Sequence, residues 1–352
     1  MFPRSLARDS HWASCYSIAG APDPTDLKAT SGNISIVERV NLVNSNFHGN
    51  RSREGNIYLM FRDNKTDFLR GKNAIFKTQH VIVQSNRGFL RFLLAHPVYG
   101  PIMADVGLNP CNTFGVLMNR YFHPTSQLLE SVQRLLPWWS SNRNVKMSTL
   151  PVHEDDASLP LVIGIHVRTT DDSFKSLASG EEEPGFQGGL KKLNLMLESA
   201  RKVIRRETNH SALVNKSTFI LVLSNSQLLK AYVRAMNDTS LVVSDPKPKH
   251  INRNEFNKYH DHPFDEEFYE RIIIETYTEW YAYSTVDIFI AGGFLKIGGR
   301  FADSGFSRTA MFRGLGDGRD FEAFDGAIFN AQTSEFMHHD SCLELMEYGA
   351  RI

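Results

Sequence analysis

The chain has 352 residues, 41% hydrophobic and 22% charged, which is too long for one ordinary domain, suits two, and excludes a disordered tail. Lys+Arg and Asp+Glu both number 39, so the formal charge is zero. The basic surplus of a nucleic-acid binder is missing, and any basic site must be a local arrangement. No run nears the eighteen or so apolar residues that span a bilayer. The opening MFPRSLARDSHWASCYS also lacks the apolar core of a signal peptide, which by itself points to the cytosol. Against that stand six N-x-S/T sequons, at Asn33, Asn50, Asn64, Asn209, Asn215 and Asn237. Chance would give about three. Cys15, Cys111 and Cys342 lie far apart with no C-x-x-C pair, which leaves open one disulfide or three thiols.

The first thirty or so residues, rich in Pro, Ser, Asp and Gly, show no period and read as an irregular lead-in. NIYLMF (56–61) and HVIVQS (80–85) are short β-rich runs, and FLRFLLAHPVYGPIM (89–103) is helical in pattern until Pro97. SQLLESVQRLLPWW (126–139) sets Leu128, Leu129, Val132, Leu135 and Leu136 at helical spacing, with Pro137 as the stop. Residues 142–160 are polar and acidic and form the best linker, so the boundary is drawn between units 1–155 and 156–352.

Beyond the linker the pattern alternates. LVIGIHVR (161–168), TFILVLS (218–224), LVVSD (241–245) and VDIFIAGG (286–293) are apolar strands of the kind buried in parallel sheets. Between them lie helical patterns over 188–207, 226–238 and 266–284. The first carries Leu190, Leu193, Leu197, Ala200 and Ile204 along one stripe. Such alternation predicts a Rossmann-like parallel sheet.

Two segments stand out chemically. In IGIHVRTTDD (163–172) a buried strand ends in His166 and Arg168, which share a face, and runs into Asp171 and Asp172. Ligands of open α/β sheets bind beyond the carboxyl ends of strands. A phosphate would satisfy the guanidinium with two parallel bonds, whereas an Arg168–Asp171 pair would merely cap the strand. The second segment is Asp303-Ser304-Gly305-Phe306-Ser307-Arg308, a turn expected to lead into a short helix, TAMFRG. Its amides can approach an anion, and Arg308 in a first helical turn opposes the macrodipole unless an anion is near. Neither G-x-G-x-x-G nor a P-loop is present, which counts against an oxidoreductase on the same sheet. His338-His339-Asp340 and His260-x-His262 read as surface stretches, and Trp138, Trp139, Trp280 and Tyr283 as core.

IGIHVRTTDD paired with a downstream SGFSRTA resembles fucosyltransferases that share an H-x-R strand end: the α-1,6-, nodulation and plant cell-wall types. NRYFHPTSQLLESV (119–132) is similar to a stretch upstream of the arginine strand in the xyloglucan type. The resemblance spans roughly residues 80 to 315 with the three motifs in order. It implies an α/β, GT-B-like fold of two Rossmann-like domains facing a cleft, with the acceptor side in 1–155 and GDP-fucose in 156–352. It further implies that Arg168 holds the β-phosphate, with His166 as its strand partner. Ser304, Gly305, Phe306, Ser307 and Arg308 would face the pyrophosphate, and Ser224 and Asn225 would lie at the nucleoside.

Asp171 matches the family's acidic position, and Asp171 or Asp172 would be the base of an inverting, metal-independent transfer. A loop carrying Glu181, Glu182 and Glu183 could close over the cleft, or be a solvated acidic run. The expected substrates are GDP-fucose and a glycan or polysaccharide hydroxyl, with no cofactor, metal or nucleic acid. The expected place is the Golgi or another secretory lumen, as a glycoprotein anchored by an N-terminal segment absent from this chain. The alternatives are a degenerate sugar- or nucleotide-binding protein of the same fold, and a protein O-fucosyltransferase. The departures are Asp172 where the α-1,6 type is basic, His166 where the plant type has Gln, and Ser126 where the xyloglucan motif has Asn.

Overall fold

The computed structural model describes residues 16–18, 37–41, 80–84, 94–97, 99–136, 160–169, 183, 185–209, 217–244, 265–292, 305–315, 327–338 and 342. The first part holds β1 (Tyr16–Ile18), β2 (Val37–Asn41), β3 (His80–Gln84), α1 (Tyr99–Asp105), α2 (Thr113–Tyr121), β4 (Phe122–Pro124) and α3 (Ser126–Leu135). β2 and β3 are parallel, with Val37 opposite His80, and β1 lies antiparallel to β4. The run at 56–61 lies outside the described residues.

The chain leaves helix at Leu94 and turns through Ala95–Pro97, where the stop was expected. A helix not read from the sequence, α1, restarts at Tyr99 with Pro101 in its first turn, where a missing N–H costs nothing. α3 opens on Thr125, whose side chain accepts from Leu128 N, and ends just before Pro137, as its pattern predicts.

The second part comprises β5 (Leu161–Val167), α4 (Phe186–Asn209), β6 (Thr218–Ser224), α5 (Gln227–Ala235), β7 (Leu241–Val243), α6 (Glu266–Ser284), β8 (Ile288–Ala291), α7 (Gly305–Leu315), β9 (Ile328–Asn330) and β10 (Glu335–Phe336). The strands form one sheet in the order β10-β9-β8-β5-β6-β7, parallel except for the β9–β10 hairpin. From β5 the chain builds outward through β6 and β7, then returns to lay β8 and β9 on the other side. The order therefore reverses between β5 and β8. In doubly wound sheets that reversal opens a crevice at the carboxyl ends of the strands.

Every residue of β5 is buried, as its continuous apolar run requires. Ile163, Ile165 and Val167 pack with Leu193, Met196, Leu197 and Ala200 of α4. Val162 faces the other layer, with Tyr269, Ile272, Trp280 and Tyr283 of α6 and Met311 and Phe312 of α7. α3 packs on α6 and α2 on α7, so residues 111–136 join the core of the second part. Cys111 and Cys342, both buried there, form a disulfide across 231 residues of sequence. No described helix is long and apolar enough to cross a membrane.

Candidate functional site

The site is assembled where β5 and β8 end. α7 is fixed first. Trp280 of α6 donates its Nε1–H to Thr309 Oγ1 at 3.0 Å, and Arg313 donates to Ser284 Oγ at 2.7 Å while lying over the Tyr281 ring. At Gly314 a Cβ would stand 2.3 Å from the Ser284 carbonyl oxygen, so only glycine allows this approach of α7 to α6. Residues 305–308 of the SGFSR motif are thereby held in place, but not as the expected turn. Gly305, Phe306, Ser307 and Arg308 are themselves the first turn of α7, because the helix opens at Gly305 rather than at Thr309. The first amides of a helix have no partner within it, and they carry the positive end of its dipole. α7 has no acidic residue in that turn.

His166 and Ser307, 141 residues apart, meet here. His166 Nδ1 and Ser307 Oγ share a hydrogen bond of 2.6 Å, both buried, and the Phe306 ring lies 4.8 Å from the imidazole. The two motifs singled out in the sequence are thus one structure. Burial pushes His166 down from 6.5 to about 3, and the charges of Lys192, Arg168 and Lys230 add to the shift in that order. The imidazole is neutral at physiological pH chiefly because it is buried, and the cations around it add to the effect. Arg168 lies just past β5, partly exposed at the strand end, and Arg308 is buried beside Ser307.

On the β6 side, Asn225 braces the end of β5. Its Oδ1 accepts from Thr169 N at 2.8 Å and Thr169 Oγ1 at 3.1 Å. Ser224 Oγ donates to the Val167 carbonyl at 2.8 Å and accepts from Ser226 N, so its hydroxyl is engaged within the scaffold. Asp171, Asp172 and Ser304 lie outside the described residues. Glu181 and Glu182 also lie outside the described residues, whereas Glu183 is not solvated: it is 3% exposed, and its Oε2 accepts from Leu228 N at the start of α5.

Four residues at this edge were not read from the sequence. Lys230 of α5 is fully buried and pairs with Glu279 of α6 at 2.9 Å, and Ser244 Oγ also donates to that carboxylate. The pair ties α5 to α6, and no local pattern announces it. Lys192 lies in the second turn of α4, and nothing in the local pattern of that helix singles it out.

The neutrality of His166 sets a pH dependence. Its folded value lies below its unfolded one, so between about pH 6.5 and 3 the unfolded chain takes up a proton that the native state refuses. Stability contributed here is intact above pH 6.5 and falls by roughly 1.4 kcal/mol per pH unit below it. Urea melts from pH 7.5 to 5.0 should show this slope in the wild type and lose about one proton's worth of it in His166→Gln. Equal slopes would mean that His166 titrates normally.

No family model matches the chain, and no curated protein matches it in sequence. Among solved structures it is similar to an Arabidopsis thaliana FUT1 mutant in complex with GDP, at 16% identity and a TM-score of 0.42 over 82% of this chain and 51% of that one. It is also similar to NodZ α-1,6-fucosyltransferase soaked with GDP-fucose, at 12% identity and a TM-score of 0.39 over 86% and 75%. A third, fucosyltransferase NodZ from Bradyrhizobium, has 12% identity and a TM-score of 0.37 over 85% and 75%. The chain spans about half the length of the plant protein.

Proposed function

We propose that the chain is an inverting fucosyltransferase that moves fucose from GDP-fucose to a glycan or polysaccharide hydroxyl. The reading is carried by the 2.6 Å bond between His166 and Ser307, which joins the H-x-R strand end to the SGFSR helix start in one buried seat. Inverting transfer needs two things: stabilisation of the charge that builds on the leaving diphosphate, and a base for the incoming hydroxyl. Arg168, Arg308 and the first amides of α7 supply the former without a metal. Asp171 or Asp172, which follow Arg168 directly, would supply the latter. His166, held neutral, positions Ser307 and the helix start without competing for the anion.

The acceptor side falls to residues before 156 and the donor side to 156–352, although α2 and α3 pack into the core of the latter. The buried Cys111–Cys342 bridge favours an oxidising, secretory compartment. So does the exposed Asn237 sequon, whose backbone takes φ 55 just past α5.

The test is donor identity. GDP, in excess EDTA, should raise the melting temperature, by about 2.7 kcal/mol of stabilisation at a hundredfold excess over Kd, and UDP should not. Fucose transfer to a glycan panel should follow under the same chelated conditions. Equal stabilisation by both nucleotides sinks the donor assignment. Turnover that needs added Mn²⁺ sinks the arginine one.

A further inference from the structure

His166, Ser307 and Arg308 belong to the layer of α6 and α7. α4 lies on the opposite face of the sheet, its apolar stripe set against Ile163, Ile165 and Val167. From that face Lys192 reaches over the strand ends. A Cβ built at Gly292, the residue directly after β8, would stand 2.1 Å from Lys192 Cε and 3.1 Å from its Nζ. The absence of a side chain at 292 is what lets the lysine tip lie across the carboxyl end of β8. That end borders the seam where the strand order reverses. Independently, the Lys192 charge is felt at His166 more strongly than that of Arg168. The ammonium therefore belongs to the same edge as the seat, reached from the other layer.

We propose that Lys192 is a diphosphate-binding residue, engaging from the α4 side the group that Arg168 and the start of α7 hold from the other. This rests on the reading of the seat as a nucleoside-diphosphate site. Arg168 offers a planar fork, whereas Lys192 offers a compact point charge with three rotatable donors, which suits an oxygen whose position differs between bound donor and product. Gly292 is its positioning partner. A side chain there meets the flexible tip of Lys192 and, at 2.8 Å, the Sδ of the buried Met196; both are ends of unbranched side chains that can shift, so the amine is displaced with the fold kept.

The experiment is calorimetric titration of the full chain with GDP, guanosine and inorganic pyrophosphate. Lys192→Met should weaken GDP and pyrophosphate about tenfold or more, the scale of one charge-assisted bond, and leave guanosine unchanged. Lys192→Arg should retain most of the affinity. Gly292→Ala should melt within a few degrees of wild type, yet lose GDP affinity much as Lys192→Met does. It should add little in the Lys192→Met background, because both changes remove one amine. GDP and pyrophosphate affinity untouched by Lys192→Met overturns the proposal. So does an equal loss for guanosine, which would make the lysine a structural prop. If the wild type binds pyrophosphate through Lys192 but prefers no nucleotide, the GDP-fucose reading falls and Lys192 stands. If it binds neither ligand, both fall.

Discussion

Arg168→Lys is expected to cut fucosyl turnover by roughly a hundredfold to a thousandfold with the fold intact, the usual cost of losing a preorganised donor to developing negative charge. Lysine keeps the charge and loses the planar fork that grips a phosphate with two parallel bonds. Arg168 stands at the strand end, partly exposed, next to a helix start that already favours an anion. If it served only to pair with Asp171, lysine would preserve much of the pair and of the activity. In that case Arg168→Ala would cost about 3–5 kcal/mol of stability, provided the pair is buried. Circular dichroism melts and single-turnover rates on both variants separate the cases. A stable, inactive lysine variant supports the donor seat. A lysine variant of near-normal activity beside an unfolded alanine variant returns Arg168 to the scaffold.

The second large effect concerns the bridge between Cys111 and Cys342. It closes 231 residues of sequence, and chain entropy sets its contribution at roughly 5 kcal/mol at most. Cys342→Ala and Cys111→Ala should each lower stability by about 2–5 kcal/mol, on the order of 10 °C in melting temperature. The double variant should lose little more than either single one, because one substitution already opens the loop. Reductant should reproduce the loss in wild type. Protein from a secretory host should yield a linked peptide in a non-reduced digest, and a glycan at the exposed Asn237. Free thiols at both cysteines, with a melt indifferent to reductant, would remove the bridge and the compartment argument with it.

What the sequence disclosed followed from how each feature is encoded. β5, β6 and β8 were legible because strands covered on both faces must be continuously apolar, and α4 and α6 because their stripes repeat at helical spacing. β9 and β10, three and two residues long, are too short to carry a period. α1 and α2 were missed for a related reason: at seven and nine residues they draw their stability from packing rather than pattern. Within the site, His166, Arg168 and Ser307 were visible because their types are out of place locally: polar groups in a buried strand, small residues before a helix. Asn225 was found by its position past a strand, but its role as a brace for Thr169 depends on β5 and β6 being neighbours, which no local segment specifies. Lys230 and Glu279 become partners only once α5 and α6 are packed. Cysteine spacing likewise could not decide between a disulfide and three thiols.

The reversal of strand order between β5 and β8 also bears on how the protein matures. Everything from α4 to α6 must be synthesised before β8 can pair with β5, and α7 follows later still. Contacts of such long sequence separation form late and slowly. The His166–Ser307 bond, spanning 141 residues, is among them. A nascent or half-folded chain therefore has β5 and its arginine but lacks the seat. If the seat takes GDP as proposed, affinity for it reports completed folding, and the ligand draws late intermediates forward by mass action. Adding GDP during refolding should raise the yield of native protein even though no early step can sense it.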